Sequence, residues 1–485
     1  MTFFHARGKV RPRQPQPLLT VPDAEFYNQD QGRETRLNEP AYIFGAALDY
    51  LDDPDRIGLK LAYLNALAEG RLEPELPADP YEAIAPQLAA RTNGVARLAG
   101  RIEVPGWLTP RPGPQERERI DPKKYQEFMA GGGVEEYIAR CRQRAREILP
   151  RVPVLIAVDH ALAAGPIRAA AERFGPEAVA VVVLDGHFDA VPAELRAASA
   201  EHVLPEGPAA AAAAELPVED FGGFDPRAGL GAPELGALGF EAPVKERPGE
   251  AGPSSRGAGS GDEVVFPDSP GDEPDDLVYS PERFSAEEDE VPTGYLAGVP
   301  YGFMSSKRSL RGEWLCGDFL AGLMEEGTVR PENLYVVGVS DYPSPSAAEL
   351  PYGKAYWSWI ERGVKVYPKK RALAPNFGRL LMAELDRSPA RMLYVSLDAD
   401  VGALTSMMAA RFMDRVGLPE ERIMGVAQGL RELLEWERFR LAGLDISEIE
   451  VHFLGLEGPQ GADHTARVCA QFAATILGNM TLTTI

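Results

Sequence analysis

Two apolar runs in this sequence end in clusters of side chains that ligate metals. Ala178-Val-Ala-Val-Val-Val-Leu184 runs into Asp185-Gly-His187-Phe-Asp189, and Met392-Leu-Tyr-Val-Ser-Leu397 runs into Asp398-Ala-Asp400. A short β-branched run ending in carboxylates reads as a buried parallel strand, and open α/β sheets place their sites at the C-terminal ends of such strands. Carboxylates are costly to bury unless they are paired or bound to a cation. Four aspartates and one histidine on two tips exceed what a single cation usually needs, so the pattern suggests a two-metal centre. Along an extended tip, alternation puts Asp185, His187 and Asp189 on one side. A third apolar run ends in Val158-Asp159-His160 and supplies another imidazole. Any one of these aspartates, taken alone, is more often a turn former or a helix N-cap. Three tips agreeing is hard to explain as capping.

The elements that must carry these tips alternate. Strands are expected at Tyr42–Leu48, Pro153–Val158, 178–184, Leu334–Val339, around Val364–Tyr367, at 392–397 and at Leu444–Ile449. Helices are expected at Val134–Leu149, Ala161–Phe174, 313–326, 374–386, 418–436 and from His464 onward. Residues 153–189 spell β–α–β, the unit of a parallel sheet, and the whole alternation predicts a three-layer α/β/α fold. Residues 70–115 are rich in proline and read as irregular structure with short helices. The domain map is an N-terminal arm at 1–36, one α/β/α domain built from 37–192 and 293–485, and an acidic Gly/Pro/Ala-rich insertion at 193–292. The insertion's composition is too poor in apolar groups to offset its ordering entropy, so most of it is expected to be disordered.

Bulk composition excludes several classes. With 50 Lys and Arg against 73 Asp and Glu, the net charge is −23. Such a chain is a poor partner for nucleic-acid phosphates and a better one for cations. Cys141, Cys316 and Cys469 are far apart, which argues against a disulfide framework or a zinc–thiolate site. No apolar run approaches the ~18 residues of a membrane span. The N-terminal stretch lacks the apolar core of a signal peptide, and the expected location is the cytoplasm.

The three tips resemble motifs of the ureohydrolase family, which includes arginase, agmatinase and their relatives. That family has Gly-Gly-Asp-His-Ser, Asp-Ala-His-x-Asp and Ser-x-Asp-x-Asp motifs. This sequence has Ala157-Val-Asp159-His160-Ala161, Asp185-Gly-His187-Phe-Asp189 and Ser396-Leu-Asp398-Ala-Asp400. The resemblance implies an arginase/deacetylase-like fold and two Mn²⁺ per chain. It assigns His160, Asp185, Asp189 and Asp398 to one ion, and His187, Asp185, Asp398 and Asp400 to the other. An oxygen-rich set without thiolates suits Mn²⁺ chemically as well. Gly443-Leu-Asp445-Ile-Ser-Glu448 is similar to the segment whose glutamate holds the substrate guanidinium, so Glu448 takes that position and is expected to touch the substrate cation only. Asp189 would orient the attacking hydroxide. His464-Thr-Ala-Arg467 and the helix after it are similar to the family's last helix.

The departures concern substrate recognition. Ala297, in Gly294-Tyr-Leu-Ala297-Gly-Val-Pro300, stands where arginases carry a loop histidine. In Gly338-Val-Ser-Asp341-Tyr-Pro343, Asp341 keeps one of two aspartates that read the α-amino group of arginine, and Pro343 replaces the other. The function implied is hydrolysis of a guanidino or amidine C–N bond, in a small cationic substrate or in an arginine within a peptide. A homo-oligomer is implied too. One rival is a single-metal deacetylase-like amidohydrolase, against which Asp189, His160 and Asp400 are surplus ligands. The other is a non-catalytic, metal-stabilised relative acting through its insertion. His202, His452 and His464 read as solvated or structural, and Trp357 and Trp359 as packing groups.

Overall fold

In the computed structural model, Val152–Ala157 (β3), Val179–Leu184 (β4), Leu334–Val339 (β5) and Met392–Asp398 (β7) are buried at every residue. Strands covered on both faces have no polar side to alternate with, and their sequences are accordingly unbroken apolar runs. The model describes residues 40–72, 77–191, 195, 316–343, 349–412, 416–458 and 461–478. Among these, Ala41–Ala46 (β1), Ala96–Ile102 (β2), Lys365–Pro368 (β6) and Arg440–Ser447 (β8) complete an eight-stranded sheet of order β2-β1-β3-β8-β7-β4-β5-β6. Every pairing in it is parallel.

Side-chain alternation along each strand feeds two separate cores. Val154, Ile156, Val182, Leu184, Val395 and Leu397 face one side, where helices Pro80–Arg91, Phe377–Asp386, Glu420–Glu435 and Thr465–Leu477 pack. Leu155, Ala157, Val181, Val183 and Tyr394 face the other. Helices Pro54–Ala68, Gly133–Ile148, Ala164–Phe174, Phe319–Glu325 and Pro351–Glu361 cover that side. The result is the three-layer α/β/α fold with a parallel sheet. Strands from before and after residues 193–292 interleave, since β8 and β7 stand between β3 and β4.

Several elements escaped the sequence reading, helix Pro122–Ala130 among them. β2 lies within the proline-rich stretch and is an edge strand, largely exposed, so it lacks the apolar run that marks the buried strands. Pro54–Ala68 and the aromatic Pro351–Glu361 are helices, and Pro80–Arg91 is a full helix capped by Asp79 rather than a short irregular one. The helix expected over 313–326 is Phe319–Glu325. The arm at 1–36, the insertion at 193–292 (apart from Leu195), His202 and the loop around Ala297 lie outside the described residues. Among the described residues, no helix is long and apolar enough to cross a membrane.

Candidate metal centre

The tips of β3, β8, β7 and β4 are neighbours in the sheet, so ligands distant in sequence meet at its C-terminal edge. Three of these strands end in the same local turn. Asp159 Oδ1 accepts a hydrogen bond from Ala161 N at 3.0 Å, Asp185 Oδ1 from His187 N at 2.7 Å, and Asp398 Oδ1 from Asp400 N at 2.8 Å. Aspartate favours such turns because its carboxylate mimics a backbone acceptor two residues on. In each case one oxygen holds the turn and the other faces inward. Asp185 Oδ2 and Asp398 Oδ2 lie 3.5 and 3.1 Å from His160 Nδ1.

Two groups of side chains result. His160, Asp185, Asp189 and Asp398 form the first, and Asp185, His187 and Asp400 the second; within each group the ligand atoms lie within 4.8 Å of one another. Asp189 Oδ2 is 3.2 Å from His160 Nδ1, and His187 Nδ1 is 2.7 Å from Asp400 Oδ2. Asp400 Oδ1 also accepts from Gly186 N at 2.7 Å, tying the β7 tip to the β4 tip. Asp185 belongs to both groups, whereas Asp398 belongs to the first alone and uses its other oxygen on its own turn. The 185–189 tip is not an extended strand. The turn at Asp185 sends His187 toward Asp400 and returns Asp189 to His160, so the two flanking residues serve different groups.

All six side chains are buried, with His187 the most accessible at 7%. Burial works against a charged His160, but Asp185, Asp189 and Asp398 outweigh it and hold the imidazole well above its ordinary range. Burial, then the neighbouring carboxylates of Asp400 and Asp185, push Asp398 far above the usual carboxylate range. Four buried carboxylates against two imidazoles make an excess of negative charge that divalent cations would neutralise. The donors are oxygens and imidazole nitrogens without a thiolate, a set suited to a hard or borderline ion such as Mn²⁺. The residues fit a binuclear centre.

Behind the ligands stands a supporting layer. His160 Nε2 lies 2.8 Å from Ser396 Oγ, and Ser396 donates to Asp445 Oδ1 at 2.8 Å. Ser396 and Asp445 are direct partners in the β7–β8 register, which is why two residues 49 apart in sequence meet. Burial raises the Asp445 carboxyl to about 6 against the opposing pull of His160 and Ser396. On the other side of the β4 tip, helices brace the backbone: Leu320 N donates to Asp189 O at 3.0 Å, and Trp359 Nε1 to Ala190 O at 3.0 Å.

Glu448 differs from its sequence expectation. It is fully buried, and Oε1 accepts from His160 N at 2.9 Å, so it touches the backbone of a ligand residue rather than standing apart. It is also a non-glycine residue at φ +58°. Its Oε2 lies 3.8 Å from Arg411 Nε, and Arg411 is sealed among Asp49, Asp159 and Glu448. Sequence gave no sign of this arginine: Arg411 follows a Met/Ala stretch, and its partners lie at positions 49, 159 and 448. Asp341, half-buried at the end of β5, accepts from Phe188 N through both oxygens at 3.2 Å. Beside it Tyr342 meets Tyr356 and Trp357 edge to face, each at 5.5 Å. His452 is buried and neutral, lowered to about 4 by burial, with Nε2 bonded to Pro110 O; it belongs to the framework.

No family model matches the sequence, and no curated protein does. Among solved structures, the chain is similar to an arginase from Bacillus caldovelox at 12% identity and TM-score 0.44, covering 92% of this chain and 100% of that one. It is similar to proclavaminate amidino hydrolase from Streptomyces clavuligerus at 13% and 0.40, covering 90% of each. It is similar to formimidoylglutamase from Bacillus subtilis at 11% and 0.42, covering 96% and 98%. These structures are members of the family that the strand-tip motifs resemble.

Proposed function

We propose that this chain is a binuclear-metal hydrolase acting on the C–N bond of a guanidino or amidine group, with Mn²⁺ as its metal. The observation that carries the reading is the pair of buried ligand groups that share Asp185 at the ends of β3, β7 and β4. His160, Asp185, Asp189 and Asp398 would hold one ion, and His187, Asp185 and Asp400 the other. Two divalent cations supply Lewis acidity and make water nucleophilic near neutral pH. Asp189 holds and orients a proton of the attacking water. The water oxygen bonds to the amidine carbon, the C–N bond breaks, and the amine leaves with a proton. Recognition of a planar cation would fall to Asp341, half-buried at the end of β5, since Glu448 is fully buried and already engaged by His160 N and Arg411. A shared carboxylate between two ligand groups favours this reading over a single-metal deacetylase.

One observation favours a second reading, a metal-bound protein without turnover: Glu448 already serves His160 N and faces Arg411. The test is metal analysis of Mn²⁺-reconstituted protein together with urea release over a panel of free and peptide-borne guanidines and amidines. Two ions per chain and release from at least one compound are expected, with free L-arginine a poor substrate because Pro343 offers no carboxylate. Two ions with no turnover anywhere would favour the second reading. One tightly held zinc would overturn both in favour of the deacetylase.

A further inference from the structure

Arg411 carries no exposed surface, and its guanidinium reaches the tips of three strands. Nη2 bonds Asp49 Oδ1 at 2.6 Å, beyond β1; Nη1 lies 3.5 Å from Asp159 Oδ2, beyond β3; Nε lies 3.8 Å from Glu448 Oε2, beyond β8. Nη1 also donates to Val158 O at 3.2 Å, and the Arg411 amide to Glu448 O at 2.7 Å. Two of these carboxylates then grip the backbone on either side of one ligand: Glu448 Oε1 takes His160 N, and Asp159 Oδ1 takes Ala161 N. Tyr50 donates to the same Asp159 oxygen at 3.0 Å. Asp49 is held in turn by Lys60 Nζ at 3.2 Å, and Arg56 binds both Glu450 and the Arg411 carbonyl.

We propose that Arg411 is a positioning residue for the metal centre: its planar fork locks Asp159 and Glu448, and through them aims His160 Nδ1 at Asp185, Asp189 and Asp398. Resting on the binuclear-metal reading above, the inference adds the part that sets the geometry of one of the two sites. A guanidinium suits the task because it spreads donors and charge along several directions in one plane, hydrogen-bonding Asp49 while facing Asp159 and Glu448 at 3.5 and 3.8 Å, whereas an ammonium is a point charge. The same cation explains the third group of potential ligands, Asp159, Cys316 and Glu448, which gathers around Arg411 rather than around a metal.

Mn²⁺ titration of the full-length protein, with thermal melting in parallel, tests this. The parent is expected to take up two ions. In Arg411→Ala one of the two should bind about 10- to 100-fold more weakly, the usual effect of losing an outer-shell support. Millimolar guanidinium chloride, far below denaturing levels, should restore that affinity, while equal sodium chloride should not. Parent affinity for both ions in Arg411→Ala overturns the proposal, and so does a loss that guanidinium leaves unchanged in a protein that still melts cooperatively. Should Arg411→Ala fail to melt cooperatively, Arg411→Lys decides: it keeps charge and length, and is expected to show the same weakened site, whereas parent affinity there overturns the proposal. If the parent itself binds no Mn²⁺, the binuclear reading fails first and the proposal with it.

Discussion

His160 can offer Nδ1 to a cation because its other nitrogen has a partner. A hydrogen on Nε2 is accepted by Ser396 Oγ, whose own hydrogen goes to Asp445, so the Asp–Ser–His chain turns Nδ1 toward Asp185, Asp189 and Asp398, where a bound cation would take the place of the Nδ1 proton. Such outer partners fix tautomer and ring orientation. Ser396→Ala removes the acceptor of the Nε2 hydrogen at almost no cost in volume. It should weaken one Mn²⁺ site about 10- to 100-fold and destabilise the metal-free protein by about 1–3 kcal/mol, because buried His160 and Asp445 lose their partner, as chelator competition and calorimetry would report. Unchanged metal affinity would show that the ring needs no such support. The residue scale also bears on a choice that sequence alone left open. An aspartate at a strand end is a turn former or a ligand, and here Asp185 and Asp398 are placed to be both, one oxygen to each task.

Among the elements, β5 carries a constraint that its sequence states only as a glycine. Gly338 lies in the strand at φ +102°, and a Cβ there would sit 2.5 Å from Val401 Cγ2 and 3.3 Å from Asp185 O. Both neighbours belong to the tips that carry the candidate ligands, so the missing side chain lets β5, β4 and the turn after β7 close together. Gly338→Ala combines a disfavoured backbone conformation with overpacking and should destabilise the fold by about 2–4 kcal/mol. Because the push falls on Asp185 O and on Val401, next to Asp400, metal uptake should fall as well. Denaturant melts and Mn²⁺ titration of the variant check this; parent-like values in both would mean that β5 yields freely. The edge strand β2 shows the opposite case, an element whose identity is tertiary. Its residues are mostly exposed, and pairing with β1 rather than an apolar run makes it a strand.

At the scale of the molecule, the described sheet draws its strands from both sides of the 193–292 segment, β1 to β4 before it and β5 to β8 after it. The entropy of closing a chain grows only logarithmically with its length. Deleting residues 205–290 should therefore leave a cooperative melt and two Mn²⁺ per chain; loss of either would make that segment part of the fold. Much of the architecture was legible beforehand because it is written in local periodicity. The apolar runs of β3, β4, β5 and β7, the helical spacing of 133–148 and 420–435, and the Asp and His residues at the tips are all short-range features. What sequence could not state was which residues would be neighbours. Strand order decides that: inserting β8 and β7 between β3 and β4 brings Asp445 to Ser396 and Glu448 to His160, and it closes three carboxylates around Arg411, 362 residues from its partner Asp49. Period-2 and period-3.6 patterns report which face of an element is buried, whereas the pairing of buried charges depends on how the elements are ordered in space.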